Sequence, residues 1–99
     1  MILEAVMLYV KDGLESDFET AILKASSIIS SANGYRSHEV NRCIEVKGKY
    51  LLLVRWDSLE AHTIGFRSSP EYQEWKKLLH HFYEPFPTVE HFKKVELDY

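Results

Sequence analysis

Residues 2–10, Ile-Leu-Glu-Ala-Val-Met-Leu-Tyr-Val, form a short, partly β-branched apolar run that ends in the turn sequence Lys11-Asp12-Gly13, and this pattern predicts a strand. From Leu14 the period lengthens. Leu14, Phe18, Ala21, Ile22, Ala25, Ile28, Ile29 and Ala32 recur every three or four residues, as one face of a helix does. Asp12 with Glu15 predicts a capping box at its start, and Asn33-Gly34 a left-handed stop at its end. Tyr35 to Val46 reads as a second strand of mixed polarity. Lys47-Gly48-Lys49 links it to a third, Tyr50 to Trp56, and so short a glycine-containing link predicts an antiparallel hairpin. Ser58 can cap a short helix that carries Leu59, His62 and Phe66 on one face. Ser69-Pro70 opens another, with Tyr72, Trp75, Leu79 and Phe82 inward. Pro85 and Pro87 bracket its exit, and Phe86 to Val95 reads as the last strand.

The polarity of the strands orders the sheet. The first and third are apolar on both faces and belong at its centre, whereas the second and fourth carry Arg36, Glu39, Arg42, Glu90 and Lys93 and suit its edges. The expected fold is α+β: a ferredoxin-like split β-α-β arrangement with an antiparallel sheet in the order 4-1-3-2 and the helices on one face. The other face is then bare although its central strands are apolar. A second copy packing sheet against sheet is the simplest cover, the alternative being a partly wet sheet in a monomer.

Composition narrows the function. Ninety-nine residues, 45% of them apolar, make one domain spanning 1–99. The net charge of −3, with twelve basic residues scattered among fifteen acidic ones, argues against nucleic-acid binding. No run approaches the roughly 18 apolar residues of a membrane-spanning helix, no basic leader precedes the first strand, and the single Cys43 suits a reducing compartment. A soluble, cytoplasmic protein without membrane contact is expected. The five histidines show no metal-ligand spacing, Cys43 reads as a small packing residue on a strand, and no glycine-rich phosphate loop supports flavin or nicotinamide binding. Neither a metal nor a cofactor is expected.

The stretch Trp56-x-Ser58-x-Glu60-Ala61-His62, followed by Phe66-Arg67-x-Ser69-Pro70-x-Tyr72-x-x-Trp75, concentrates the chain's chemistry. With Gly34-Tyr35 after the first helix and the Tyr50–Trp56 strand, it resembles the antibiotic biosynthesis monooxygenase (ABM) domain family over nearly the whole chain. The resemblance implies a dimeric α+β barrel with a pocket in each subunit between sheet and helices. Characterised members include cofactor-free oxygenases of polycyclic phenols or quinols, haem-degrading enzymes and small isomerases. The haem-degrading branch has an asparagine on the first strand and a histidine ligand on the later helix. Here residues 2–10 contain no asparagine, Lys76 falls near the ligand position, and His80 and His81 lie about one turn beyond it.

A cofactor-free oxygenase must take a proton from an electron-rich phenol, so that the anion can pass an electron to dioxygen. His62 is the candidate catalytic base. Trp56, Phe66, Arg67, Tyr72 and Trp75 are the candidate substrate-binding residues, the aromatics as walls and Arg67 as the partner of an anion. Each has a plainer reading. His62, Tyr72 and Trp75 can be core, Arg67 can serve a helix end, Trp56 can anchor the following helix, and His38 and His91 are expected in solvent or an interface. A small-molecule enzyme and a non-catalytic binding dimer of the same fold therefore both stand.

Overall fold

In the computed structural model, which describes residues 1–97, β1 (Ile2–Tyr9) and β3 (Lys49–Trp56) fill the centre of a four-stranded antiparallel sheet. β2 (Tyr35–Arg42) flanks β3 and β4 (Val89–Phe92) flanks β1, giving the order β2-β3-β1-β4. This is the expected 4-1-3-2 arrangement read from the other edge. Strict alternation sends Val6, Leu8, Tyr50, Leu52, Val54 and Trp56 to one face, where all are buried. That face packs against α1 (Glu15–Ser30) and α2 (Pro70–Leu79), whose Phe18, Ile22, Ala25, Ile29, Trp75 and Leu79 complete the core. Phe18 is fully buried, with Tyr50 and Phe82 rings 4.9 and 6.0 Å away.

Several boundaries differ from expectation, each for a physical reason. No side chain caps α1: its N-cap is Leu14, and the Leu14 N–H closes a turn onto the Lys11 carbonyl at 3.0 Å. Asp12 thus lies two residues before the N-cap and pairs instead with Lys47 at 3.4 Å. β2 stops at Arg42, because Cys43 to Gly48 fold into the connecting loop, with Ile44 93% exposed. Cys43 lies in that loop rather than on a strand. β4 is confined to Val89–Phe92, opposite Leu3–Val6; Pro87 brings no N–H to a ladder, and Phe92 already faces Leu3 near the start of β1. Phe82 is buried beyond the end of α2. The short helix is a π-helical turn, Ala61–Phe66, in which the Arg67 N–H reaches the His62 carbonyl at 3.1 Å. The wider turn buries His62 and Phe66 and leaves Leu59 41% exposed.

Gly34 sets the approach of this turn to the sheet. Its φ is +82°, and a Cβ there would stand 2.6 Å from the Ala61 Cβ. Gly34→Ala therefore combines a left-handed backbone with a clash, and we expect a loss of about 1–3 kcal/mol in urea denaturation. An unchanged midpoint would show that this contact can relax. Among the described residues no helix is long and apolar enough to cross a membrane.

Candidate active site

The alternation that buries Val6 and Leu8 also buries Glu4, a carboxylate only 5% exposed. Such a group needs partners, and three elements provide them. From β3, Trp56 Nε1–H donates to Glu4 Oε1 at 2.9 Å. From the π-helical turn, His62 brings Nε2 to 3.5 Å from the same oxygen. From β4, His91, which pairs directly with Glu4 in the sheet register, brings its Nε2 to 2.9 Å from His62 Nδ1. One of these two rings donates and the other accepts. The His62 ring stacks on Trp56, with centroids 5.3 Å apart and planes at 21°.

Burial governs the charge states here. It raises the Glu4 carboxyl above its ordinary range, an effect opposed by the Trp56 hydrogen bond and by the Arg67 guanidinium. It lowers His62 to about 4, helped by repulsion from Arg67 and His91. It also lowers His91, again with help from Arg67. Both imidazoles are therefore neutral near pH 7, and the contact between Glu4 and His62 is a polar one rather than an ion pair.

A cavity of about 410 Å³ opens between sheet and helices beside this cluster, within the range typical of small-molecule sites. Glu4 and His62 form part of its wall, Phe66, Tyr72 and Trp75 give it aromatic sides, and the exposed Arg67 also borders it. Local sequence explains the placement. Ser58 Oγ accepts the Ala61 N–H at 3.2 Å, and Ser69 Oγ accepts the Tyr72 N–H at 3.3 Å, which starts α2 at Pro70 and turns Tyr72 and Trp75 inward. The rings of Tyr72 and Trp75 both meet Phe66 edge-on, at 5.4 and 6.0 Å.

Five of the six residues singled out in the sequence, His62, Phe66, Arg67, Tyr72 and Trp75, thus border one space. Trp56 does not; it is fully buried behind His62 and holds Glu4. Glu4 and His91 were missed. The available signal was parity: Glu4 shares its strand face with Val6 and Leu8, and His91 shares its own with Val89, between the exposed Glu90 and Phe92. His91 is half-buried rather than solvated, and His38 is half-buried between Ser26 and Tyr35. His80 borders the cavity beside Tyr72 and Tyr83, whereas His81 and Lys76 are exposed. Among the described residues, no group of three or more histidine, cysteine, aspartate or glutamate side chains is placed to hold a metal ion.

The model of the antibiotic biosynthesis monooxygenase family matches residues 1–78. The chain belongs to this family. It is 59% identical over 95 residues to the uncharacterised protein YczJ of Bacillus subtilis, covering 96% of this chain and all of that one. A crystal structure from Bordetella bronchiseptica, provisionally named for the same family, superimposes with a TM-score of 0.92 at 34% identity, over 96% of this chain and 97% of its own. SnoaB, a cofactor-independent oxygenase from Streptomyces nogalater, superimposes with a TM-score of 0.79 at 14% identity, over 97% of this chain and 94% of its own, a likeness of fold. The ABM fold thus agrees with the order of strands and helices described above, with the cavity between its two layers.

Proposed function

We propose that this ABM protein is a small homodimeric monooxygenase that oxidises a planar phenol or quinol with dioxygen and without a bound cofactor. One observation carries the reading: a cavity of about 410 Å³ in which a buried carboxylate–imidazole pair, Glu4 and His62, meets aromatic walls and a guanidinium. The pair is the acid–base unit, with His62 as its imidazole. Phe66, Tyr72 and Trp75 flank a flat ring, Trp56 backs the pair, and Arg67 neutralises the substrate anion at the cavity edge. The substrate itself supplies the electrons, so an anthrol and one dioxygen give a quinone and one water. SnoaB supports the reading by performing cofactor-independent oxygenation on the same fold.

The homodimer is supported by the outer sheet face. Met7, Tyr9 and Phe92 are 37%, 44% and 49% exposed there, beside half-buried Leu51 and Leu53. Covering these apolar groups with a second copy removes the patch from water. The free thiol of Cys43 fits a cytoplasmic setting.

The second reading, a dimer that binds a small ligand without reaction, is favoured by the fact that both ring nitrogens of His62 already face protein partners. Oxygen uptake separates the two. With 1,8-dihydroxyanthrone and a chelator present, the wild type is expected to consume one dioxygen per quinone formed and to place one labelled oxygen atom in the product. His62→Ala is expected to lower this rate about 10²-fold, the low end of what acid–base groups contribute. Binding without oxygen uptake would establish the non-catalytic reading. A destabilised His62→Ala with full specific activity would make His62 a core residue.

A further inference from the structure

We infer that Glu4, rather than His62, is the catalytic residue that takes the substrate proton, and that Trp56, His62 and His91 are the positioning residues that hold its carboxylate ready. This rests on the oxygenase reading above and assigns the proton within it.

Geometry is the first support. Both nitrogens of His62 are turned to protein, Nδ1 to His91 at 2.9 Å and Nε2 toward Glu4 at 3.5 Å, so neither is free to meet a phenol. The carboxylate is arranged the opposite way. Among the described residues its polar partners all meet Oε1, which faces Trp56 Nε1 and His62 Nε2. No fully buried side-chain oxygen among the described residues lacks a hydrogen-bond partner, so Oε2, which has no partner among them, retains accessible surface, and Glu4 borders the cavity. One oxygen is thus fixed and the other is left for a ligand.

The chain of donors has a definite sense. Trp56 can only donate. With Glu4 ionised, His62 turns Nε2–H toward Oε1, and its Nδ1 then accepts from His91 Nε2–H. His91 thereby selects the tautomer of His62, as a carbonyl or carboxylate does for other histidines. Trp56 and His62 face the carboxylate, His91 stands behind His62, and the Arg67 guanidinium acts on it by charge. Burial outweighs the opposing Trp56 hydrogen bond and Arg67 charge and keeps the carboxylate more basic than an exposed one, which suits proton abstraction near neutrality.

The protons balance through this one oxygen. Oε2 takes the hydroxyl proton of the anthrol, or the ring-methylene proton of its keto tautomer, leaving the electron pair on the ring system. The anion passes one electron to dioxygen, and the two radicals combine to form a carbon–oxygen bond. The carboxylic acid returns its proton to the terminal peroxide oxygen. Glu4 then removes the remaining proton from that carbon as the oxygen–oxygen bond breaks, and delivers it to the departing hydroxide to make water.

The test uses 1,8-dihydroxyanthrone under nitrogen, where the long-wavelength absorption of its anion reports proton transfer without oxidation. Wild type should bind the anthrone and ionise it, with an acidic limb in the pH profile. Glu4→Gln keeps the shape and an oxygen for Trp56. It should bind within about threefold of wild type, leave the ligand neutral, and oxidise it at least 10²-fold more slowly when air is admitted. His62→Gln keeps an N–H donor toward Oε1, so ionisation should persist with the limb displaced, and turnover should exceed that of His62→Ala. Ionisation kept in Glu4→Gln and lost in His62→Gln would overturn the assignment and make His62 the base. If Glu4→Gln does not fold, His62→Gln decides alone, since loss of its ionisation refutes the proposal and retention supports it. A wild type that binds the anthrone but neither ionises it nor consumes oxygen would instead refute the oxygenase reading, and the proposal with it.

Discussion

Acidification from pH 6.5 to about 4 should cost the folded chain about 3 kcal/mol through His62 alone, and this part of the loss should disappear in His62→Gln. The folded imidazole is held at about 4 and the unfolded one titrates near 6.5, so between these values the unfolded state binds the extra proton. Stability is full above 6.5 and is lost as pH falls. His91, His80 and His38 are also lowered by burial and act in the same direction, though each is more exposed than His62. Glu4 acts oppositely: its raised carboxyl binds a proton more tightly when folded, so acidification through that raised value toward 4.5 returns part of the stability. The net fall in wild type is therefore smaller than the His62 part. Urea unfolding of both proteins at pH 7, 5.5 and 4 measures the difference. Parallel pH profiles would mean that His62 is not a buried neutral group.

The same burial explains which parts of the site could be read from the sequence. Periodicity carries strong signals where a whole face is apolar, and so the α1 stripe from Phe18 to Ile29 and the central β1 and β3 strands were legible together with their order in the sheet. Capping residues carried the start of α2, because Ser69-Pro70 fixes Tyr72 and Trp75 one turn later. Signals failed where the outcome depends on a partner distant in sequence. A lone glutamate in an apolar strand looks like a surface residue until Trp56, 52 positions away, is seen to donate to it. His91 looked like an edge-strand residue for the same reason: its meaning lies in the β1–β4 register, which puts it opposite Glu4. The ends of β2 and β4 were overextended because strand-like composition continues past the point where a neighbour is available to pair. Leu59 was assigned inward on a regular helical period, and the π-helical turn altered that period.

Met7→Asp and Leu52→Asp should give opposite outcomes, because residues of opposite parity serve different interiors. Leu52 is 4% exposed on the inner face, where an unpaired carboxylate has only the core around it, so this variant is expected not to fold. Met7 is 37% exposed on the outer face, paired with Leu51 on β3, and its replacement leaves the core intact. In the proposed dimer a two-fold axis brings the same face of each subunit together, so one substitution places a carboxylate on both sides of the interface. Of the cations on that face, Arg55 is already engaged by Glu39 at 3.3 Å, and Lys49 lies over the Tyr9 ring with its Nζ 5.9 Å from the centroid. Desolvating an unpaired charge costs several kcal/mol for each ion, and even about 4 kcal/mol in total raises a dissociation constant roughly 10³-fold. Met7→Asp is accordingly expected to sediment as a folded monomer at micromolar concentrations where the wild type sediments as a dimer, with its circular dichroism unchanged. A wild-type monomer under those conditions, or a Met7→Asp dimer of undiminished affinity, would show that the outer sheet face is not the interface.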